Sequence, residues 1–137
     1  MSDKNPFSEM NIVYTYTRAQ AIADGVLHDV TKAATQTGFK LPVAVTDTIW
    51  SKYIEVTPEL EEYGQSTEAR LLDVLMVLYF KILSLPRDSL NSRITFTVKF
   101  LMAPENEEYE EPELTADCGP GDHGEPVITI LLPDYDD

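Results

Sequence analysis

The longest apolar stretch of the chain, about residues 67–85, has the length and composition of a buried helix. Ser66 or Thr67 can cap its start, and Pro86 limits its end. Apolar side chains occupy nearly all of its circumference, so we expect other elements to cover it on several sides. Its most apolar part, residues 71–85, carries only Asp73 and Lys81 as charged residues and is shorter than the roughly 20 apolar residues of a membrane span.

Shorter patterns predict strands on both sides of this helix. Residues 93–102, RITFTVKFLM, alternate apolar and polar side chains as a half-buried antiparallel strand does. NIVYTY at 11–16 predicts another strand, and LTADC and VITILL predict two more, joined by the turn CGPGDHGEP at 118–126. Pro42 restricts FKLPVAV to an edge strand or an extended loop.

Short helices are predicted where a capping residue precedes a suitable segment. Thr17 and Thr46 can cap RAQAIADG and DTIWSKYI, while Asp29 or Thr31 can cap KAATQT. Thr57, followed by Pro58 and Glu59, can start another helix, which Gly64 keeps short. Helices thus dominate the first part of the chain and strands the last. This order predicts a single α+β domain, residues 1–137, with an antiparallel sheet of three to four strands packed against several helices.

Charge is distributed unevenly along the 137 residues, whose formal net charge is −14. Residues 1–102 hold 12 acidic and 10 basic side chains, whereas residues 103–137 hold 12 acidic side chains and no Lys or Arg. Such asymmetry predicts an acidic face or tail. Because it repels phosphates and anionic membranes and attracts cations, we expect a basic protein surface as partner, and neither direct nucleic acid binding nor a membrane.

The densest part of this charge is PENEEYEEPE, residues 104–113, with six glutamates. We predict an acidic loop here, and two interpretations remain open: a mobile, self-repelling connection between strands, or a surface that mimics nucleic acid or grips a basic partner. Fully extended, the run spans about 33 Å, or one charge per roughly 5.5 Å, which is sparser than the about 3.4 Å of a DNA strand. Tyr109 and Tyr135 add aromatic anchors. The candidate partner-binding residues are Glu105, Glu107, Glu108, Tyr109, Glu110, Glu111, Glu113, Asp122, Glu125, Asp134, Tyr135 and Asp136.

No constellation of residues indicates catalysis or a cofactor. The single Cys118 excludes an internal disulfide, and MSDKNPFSEM has no signal-peptide core, which together favour a cytoplasmic protein. Cys118 lacks the sequence context of a cysteine nucleophile, so a buried thiol and a surface His123 are expected. Asp122, His123 and Glu125 could hold a divalent cation, although a structured turn is the favoured interpretation. We therefore predict no catalytic residue, no metal and no enzyme activity.

Residues 13–27, VYTYTRAQAIADGVL, resemble the start of ADP-ribosyltransferase-type folds. Those families place a histidine in the first strand, followed by Xaa-Thr, to hold a nicotinamide dinucleotide. The matching positions here are Thr15, Tyr16 and Thr17, so the histidine is absent. The resemblance implies a non-catalytic or weakly catalytic relative, with a pocket near Tyr14 and Tyr16 and with Arg18 available to a phosphate.

A second resemblance spans residues 14–133. YTRAQAIADGVLHDVT, GFKLPVAVT and CGPGDHGEPVITILLP are together similar to a family of small proteins of unknown function carried by phages, plasmids and integrated bacterial elements. The resemblance implies a mobile-element setting, where small acidic proteins often block host defence, as anti-CRISPR and anti-restriction proteins do. It brings no catalytic residues.

These patterns lead to one main hypothesis and one alternative binding role. The main hypothesis is an inhibitor in the bacterial cytoplasm whose acidic face competes with nucleic acid on a CRISPR or restriction complex. The alternative is an acidic accessory module that organises other mobile-element proteins. We expect a monomer or a homodimer, since an edge strand within residues 93–102 could pair across a dimer.

Overall fold

The computed structural model describes residues 17–86 and 93–133. The predicted strand at 11–16 lies outside the described residues, as do the candidates Asp134, Tyr135 and Asp136. The described ranges contain five α-helices: α1 (Arg18–Ala23), α2 (Thr31–Thr37), α3 (Asp47–Ile49), α4 (Pro58–Glu62) and α5 (Thr67–Ser84). They contain seven strands: β1 (Leu27–Asp29), β2 (Val43–Thr46), β3 (Arg93–Thr97), β4 (Phe100–Ala103), β5 (Glu108–Glu110), β6 (Glu113–Pro120) and β7 (Pro126–Leu131).

Three helices begin at the predicted capping residues. The hydroxyls of Thr17, Thr57 and Ser66 accept hydrogen bonds from backbone N–H groups three residues later, which satisfies donors that have no partner within the helix. Thr46 precedes α3 as predicted, but its buried hydroxyl makes no hydrogen bond to the helix. The helix α3 is one turn long and continues directly into a π-helical turn, Trp50–Ile54.

Five of the strands form one mixed sheet in the order β1-β2-β7-β6-β3, which confirms the α+β class but exceeds the predicted three to four strands. All neighbours are antiparallel except β2 and β7, which run parallel. The prediction that Pro42 restricts this segment to an edge is wrong. Pro42 lies one residue before β2, so its missing N–H removes no bond from the strand, and its carbonyl accepts from Ile128 N at 2.9 Å.

The predicted strand 93–102 is divided between two sheets. Its first half, β3, pairs with β6, and its second half, β4, pairs with β5 in a separate two-stranded sheet. Apolar side chains alternate inward through the break, with Phe96, Val98 and Phe100 all buried. The period of two was therefore correct, but periodicity reports which face is buried and not which strand is the partner.

The main core lies between one face of the five-stranded sheet and the elements α2, α5 and the π-helical turn. Val43 and Val45 of β2, Ile128 and Ile130 of β7, and their neighbours pack against the buried side of α5. A smaller cluster under α1 covers the opposite face at Ala44. The bounds of the long helix match the prediction, but residues 17–86 and 93–133 cover α5 on one side only. Its outer face leaves large apolar side chains exposed: Leu72, Met76, Val77, Phe80 and Leu83.

Candidate functional site: an acidic hairpin

The acidic run 104–113 folds into the tip and returning strand of a β-hairpin. A 3-10 turn, Pro104–Asn106, follows β4, and Glu107 adopts the left-handed conformation with φ of 53°. The chain then returns as β5, which places Tyr109 opposite Leu101 and Glu110 opposite Phe100. We call β4, this turn and β5, together with Glu111, the acidic hairpin; Glu113 then begins β6.

A buried arginine fastens the acidic hairpin to the helical layer. The Arg70 side chain is 4% exposed, and its guanidinium donates to the carbonyl oxygens of Tyr53, at 2.7 Å, and of Leu101. It also donates to Gln65 Oε1 at 3.3 Å and lies 5.7 Å from the centre of the Phe100 ring. Burial lowers the pKa of Arg70 from its ordinary value, and the nearby Asp73 opposes that shift.

An aromatic contact reinforces this attachment. The rings of Tyr53 and Phe100 stack with centroids 5.1 Å apart, and the Tyr53 hydroxyl donates to Glu110 Oε1 at 3.1 Å. Burial, and next the hydrogen bond to Glu110, raises the pKa of Tyr53, so the hydroxyl keeps the proton that it donates. The π-helical turn, α5 and the acidic hairpin are thus linked at one end of the molecule.

The carboxylates of the acidic hairpin point into solvent with few partners. Glu105, Glu107, Glu108, Glu110 and Glu111 are all exposed. Among the described residues, Glu110 is the only one of these five with a side-chain hydrogen bond, and none of them forms a salt bridge. Tyr109 is also exposed, with Lys99 Nζ 4.6 Å above its ring. These charges are therefore available to cations on another molecule.

Folding into a hairpin concentrates the charge. From Glu107 to Glu111 the strand advances four residues, or about 14 Å, and the turn places Glu105 beside its start. Five glutamates on about 14 Å give about one charge per 2.8 Å of hairpin length, at least as dense as the about 3.4 Å per charge of a DNA strand. The value for the extended run was lower because it averaged over all ten residues, whereas four of the five residues 107–111 are glutamates and the reversal of the chain adds Glu105.

The fold adds acidic residues that the sequence did not single out. Glu55 lies two residues after Tyr53, and Glu62 lies three before Gln65, both of which bond to Arg70. A separation of two or three residues along the chain spans at most about 10 Å, so Glu55 lies within that distance of Tyr53 and Glu62 within that distance of Gln65. Between them the short helix α4 buries Leu60 and exposes Glu59 and Glu61. The run of acids around α4 was visible in the sequence, but only the Arg70 contacts place it beside the acidic hairpin.

Asp122 and Glu125 do not join the acidic hairpin. They lie in the β6–β7 turn, and β6 carries the chain about 24 Å from Glu113 to that turn. Asp122 accepts hydrogen bonds from Arg18 N and Ala19 N at 2.6 and 3.0 Å, and these bonds lower its pKa. Glu125 Oε1 accepts from the backbone N–H of His123. The Asp122 carboxylate therefore fastens this turn to the start of α1, and the Glu125 carboxylate stabilises the turn itself.

The described residues provide no metal group and no free phosphate-binding arginine at this turn. No set of three His, Cys, Asp or Glu side chains in residues 17–86 and 93–133 is arranged to hold a metal ion. The Arg18 guanidinium donates to Thr129 Oγ1 and to the Ile128 carbonyl, both at 2.8 Å, and burial lowers its pKa. Arg18 thus fastens α1 to β7. Tyr14 and Tyr16, the other residues of the predicted nucleotide pocket, lie outside the described residues.

The expectation of a buried thiol is wrong. Cys118 is exposed and free, because β6 carries it beyond the region that the helices cover. His123 is exposed, as predicted. In the part of the chain that the structure describes, no helix has the length and apolar character needed to cross a membrane.

Comparison with known proteins identifies a family and no characterised relative. No curated protein and no solved structure matches the chain significantly. The model of a family of unknown function, DUF6573, matches residues 3–136. Because the match covers nearly the whole chain, the protein belongs to the DUF6573 family of unknown function.

Proposed function

We propose that the protein is a mobile-element-encoded inhibitor that binds a host defence nucleoprotein complex, of the CRISPR or restriction kind, through its acidic hairpin. The observation that carries this proposal is the cluster of exposed glutamates on an anchored hairpin, at a linear density near that of a DNA strand. The phage and plasmid setting rests on the sequence resemblance.

The mechanism is competition for a basic channel. Lysine and arginine side chains that normally hold phosphates pair instead with the hairpin glutamates. This pairing does not depend on nucleic acid sequence and needs no covalent step. Long-range attraction speeds the encounter and weakens as salt rises, because the Debye length is about 8 Å at physiological ionic strength. Tyr109 lies among these carboxylates, exposed, and supplies apolar contact area at the centre of the interface.

Anchoring makes the hairpin a better competitor than a mobile acidic loop. A flexible segment loses backbone entropy on binding, at about 1–2 kcal/mol for each residue that becomes fixed. The contacts of Arg70 and Tyr53 already fix the acidic hairpin in the free protein. A separate observation favours a binding role over the nucleotide-binding alternative, because the Arg18 guanidinium is occupied by its hydrogen bonds to β7.

Displacement of nucleic acid from purified CRISPR and restriction complexes tests the proposal. The triple variant Glu105→Gln, Glu107→Gln and Glu108→Gln should bind at least about tenfold more weakly than the wild type, with a smaller dependence of affinity on salt. A control with equal net charge changes Asp24 and Asp29 to Asn and Glu125 to Gln, which lie near α1 and the β6–β7 turn, and should lose less affinity. Equal losses in both variants would show that net charge, and not the acidic hairpin, drives binding. Absence of displacement from every complex would reject the inhibitor proposal.

A further inference from the structure

The outer face of α5 carries a row of apolar side chains that the described fold leaves in solvent. Leu72, Met76, Phe80 and Leu83 recur at intervals of three and four residues, so they form one stripe along the helix. Phe80 is 58% and Leu83 is 63% exposed. Contiguous exposed apolar surface of this kind marks a protein interaction site. We call these four residues the α5 stripe.

Beside the α5 stripe, a groove separates the helix from the sheet edge. Val77, Phe80 and Lys81 of α5 and Thr95–Thr97 of β3 line it, with Glu113 at one side, around a volume of about 510 Å³. Among the described strands, β3 has a single neighbour, β6, and forms the edge of the sheet. The α5 stripe, the groove and this edge are therefore one continuous open surface.

We propose that this surface binds a second copy of the chain, with the two α5 helices packed antiparallel about a two-fold axis between residues 77 and 78. An isologous interface must be complementary to itself, and the α5 stripe meets this requirement. Leu72 of one copy faces Leu83 of the other, and Met76 faces Phe80. The midpoints of these two pairs along the helix agree to within one residue, or about 1.5 Å, so both pairs define the same axis.

The charges that flank the α5 stripe indicate the same axis. Asp73 and Lys81 are both exposed, lie four residues on either side of Val77, and have no salt-bridge partner among the described residues. Eight residues of helix separate them by about 12 Å, which is too far for a pair within one helix. In the antiparallel dimer Asp73 of each copy meets Lys81 of the other. A parallel dimer would instead place like charges together.

The acidic charge of the protein permits this arrangement. Arg70, which anchors the acidic hairpin, lies about seven residues from the proposed axis, or about 11 Å along α5. The antiparallel packing therefore separates the two anchors by about 22 Å, more than twice the Debye length of about 8 Å at physiological salt. Repulsion between the two acidic hairpins is screened, and along α5 each copy contributes one acidic and one basic flanking residue, Asp73 and Lys81.

Sedimentation across micromolar concentrations tests the proposal by asking whether the wild type has twice the 15.4 kDa mass of the chain. Phe80→Glu should weaken the dimer by at least about 30-fold, the effect of removing a central aromatic anchor. Because Phe80 is largely exposed, circular dichroism of this variant should stay that of the wild type. Asp73→Lys and Lys81→Asp should each weaken the dimer by about fivefold, and the double variant should recover it. A monomeric wild type, or a double variant no better than the single ones, would overturn the proposal.

Cross-linking distinguishes antiparallel from parallel packing. In a Cys118→Ser background, Met76→Cys should form a disulfide between copies, because its two positions lie about 4.5 Å apart along the helix direction. Leu72→Cys should not, because its two positions lie about 16 Å apart in the antiparallel dimer. A cross-link through position 72 and not through position 76 would overturn the antiparallel arrangement.

Discussion

Replacing Arg70 with methionine should detach the acidic hairpin from the helical layer and destabilise the whole protein. Methionine keeps an apolar stem of similar shape but donates no hydrogen bond. The carbonyl oxygens of Tyr53 and Leu101 then lose the donor that joins the π-helical turn to β4. Gln65 Oε1 also loses its bond from Arg70, but the amide can turn toward solvent because Gln65 is half-buried.

The expected cost follows from what stays buried. The Tyr53 carbonyl is buried and the Leu101 carbonyl is partly buried. A buried carbonyl left without a donor costs about 1–3 kcal/mol and a partly buried one costs less, so the two together cost about 2–5 kcal/mol. Removing a desolvated guanidinium recovers part of this, because its hydrogen-bond partners are neutral and the nearby Asp73 is exposed, so no buried opposite charge is left behind. We expect a loss of about 3 kcal/mol in the free energy of unfolding. For a chain of this size that corresponds to a fall of about 12 °C in Tm.

Urea unfolding followed by circular dichroism measures this loss, and Lys99→Met provides a matched control. It removes the same charge and inserts the same side chain, but Lys99 is exposed and its ammonium lies over the Tyr109 ring, so its cost should stay below about 1 kcal/mol. Hydrogen exchange should show faster opening at Leu101 and Tyr109 in Arg70→Met. A difference of less than about 1 kcal/mol between the two variants would refute the assignment of Arg70 as the anchor.

Three further outcomes follow from particular contacts. The pKa of Asp122 lies below its ordinary 3.8, so its carboxylate stabilises the folded protein above about pH 4. This stability is lost as pH falls further. The urea midpoint of the wild type should therefore drop more steeply below pH 4 than that of Asp122→Asn. Glu107→Gly should gain about 0.5–1 kcal/mol in unfolding free energy by relieving the left-handed backbone, whereas Glu107→Gln keeps the Cβ and should gain nothing; equal effects would refute the strain. Gly38→Ala places a Cβ 2.8 Å from the Tyr79 ring and should lose about 2 kcal/mol in urea unfolding, more than Gly25→Ala, which has open space; a smaller loss at position 38 would contradict this.

Local chemistry decided what the sequence could predict about the fold. The caps at Thr17, Thr57 and Ser66 use hydrogen bonds within three residues of the chain, so their side chains suffice to locate them. The position of β2 depends on a partner 85 residues away, since Val43 pairs with Ile128. Pro42 misled the prediction because a proline before a strand and a proline within it look alike in sequence.

The candidate site divides in the same way. The number of glutamates in residues 104–113 was visible in the sequence, and their exposure follows from their charge. The approach of Glu105 to residues 107–111 and the anchoring of the hairpin were not visible, because they depend on the pairing of β4 with β5 and on the long-range contacts of Arg70. Asp122 shows a role that the sequence did not indicate. Its carboxylate caps α1, 104 residues earlier in the chain.

The two proposed surfaces make a joint demand on any target. Antiparallel packing of α5 would direct the two acidic hairpins toward opposite ends of the dimer. The reason is that each anchor, Arg70, lies toward the N-terminus of its helix, and the two helices run in opposite directions. A basic channel could then engage one hairpin of a dimer, while the second hairpin remained free for another copy of the channel. Linked sites raise the effective local concentration of the second contact, so avidity should appear only with targets that present two basic sites at this spacing. Phe80→Glu should accordingly weaken binding to a target with two such sites and leave binding to an isolated site unchanged.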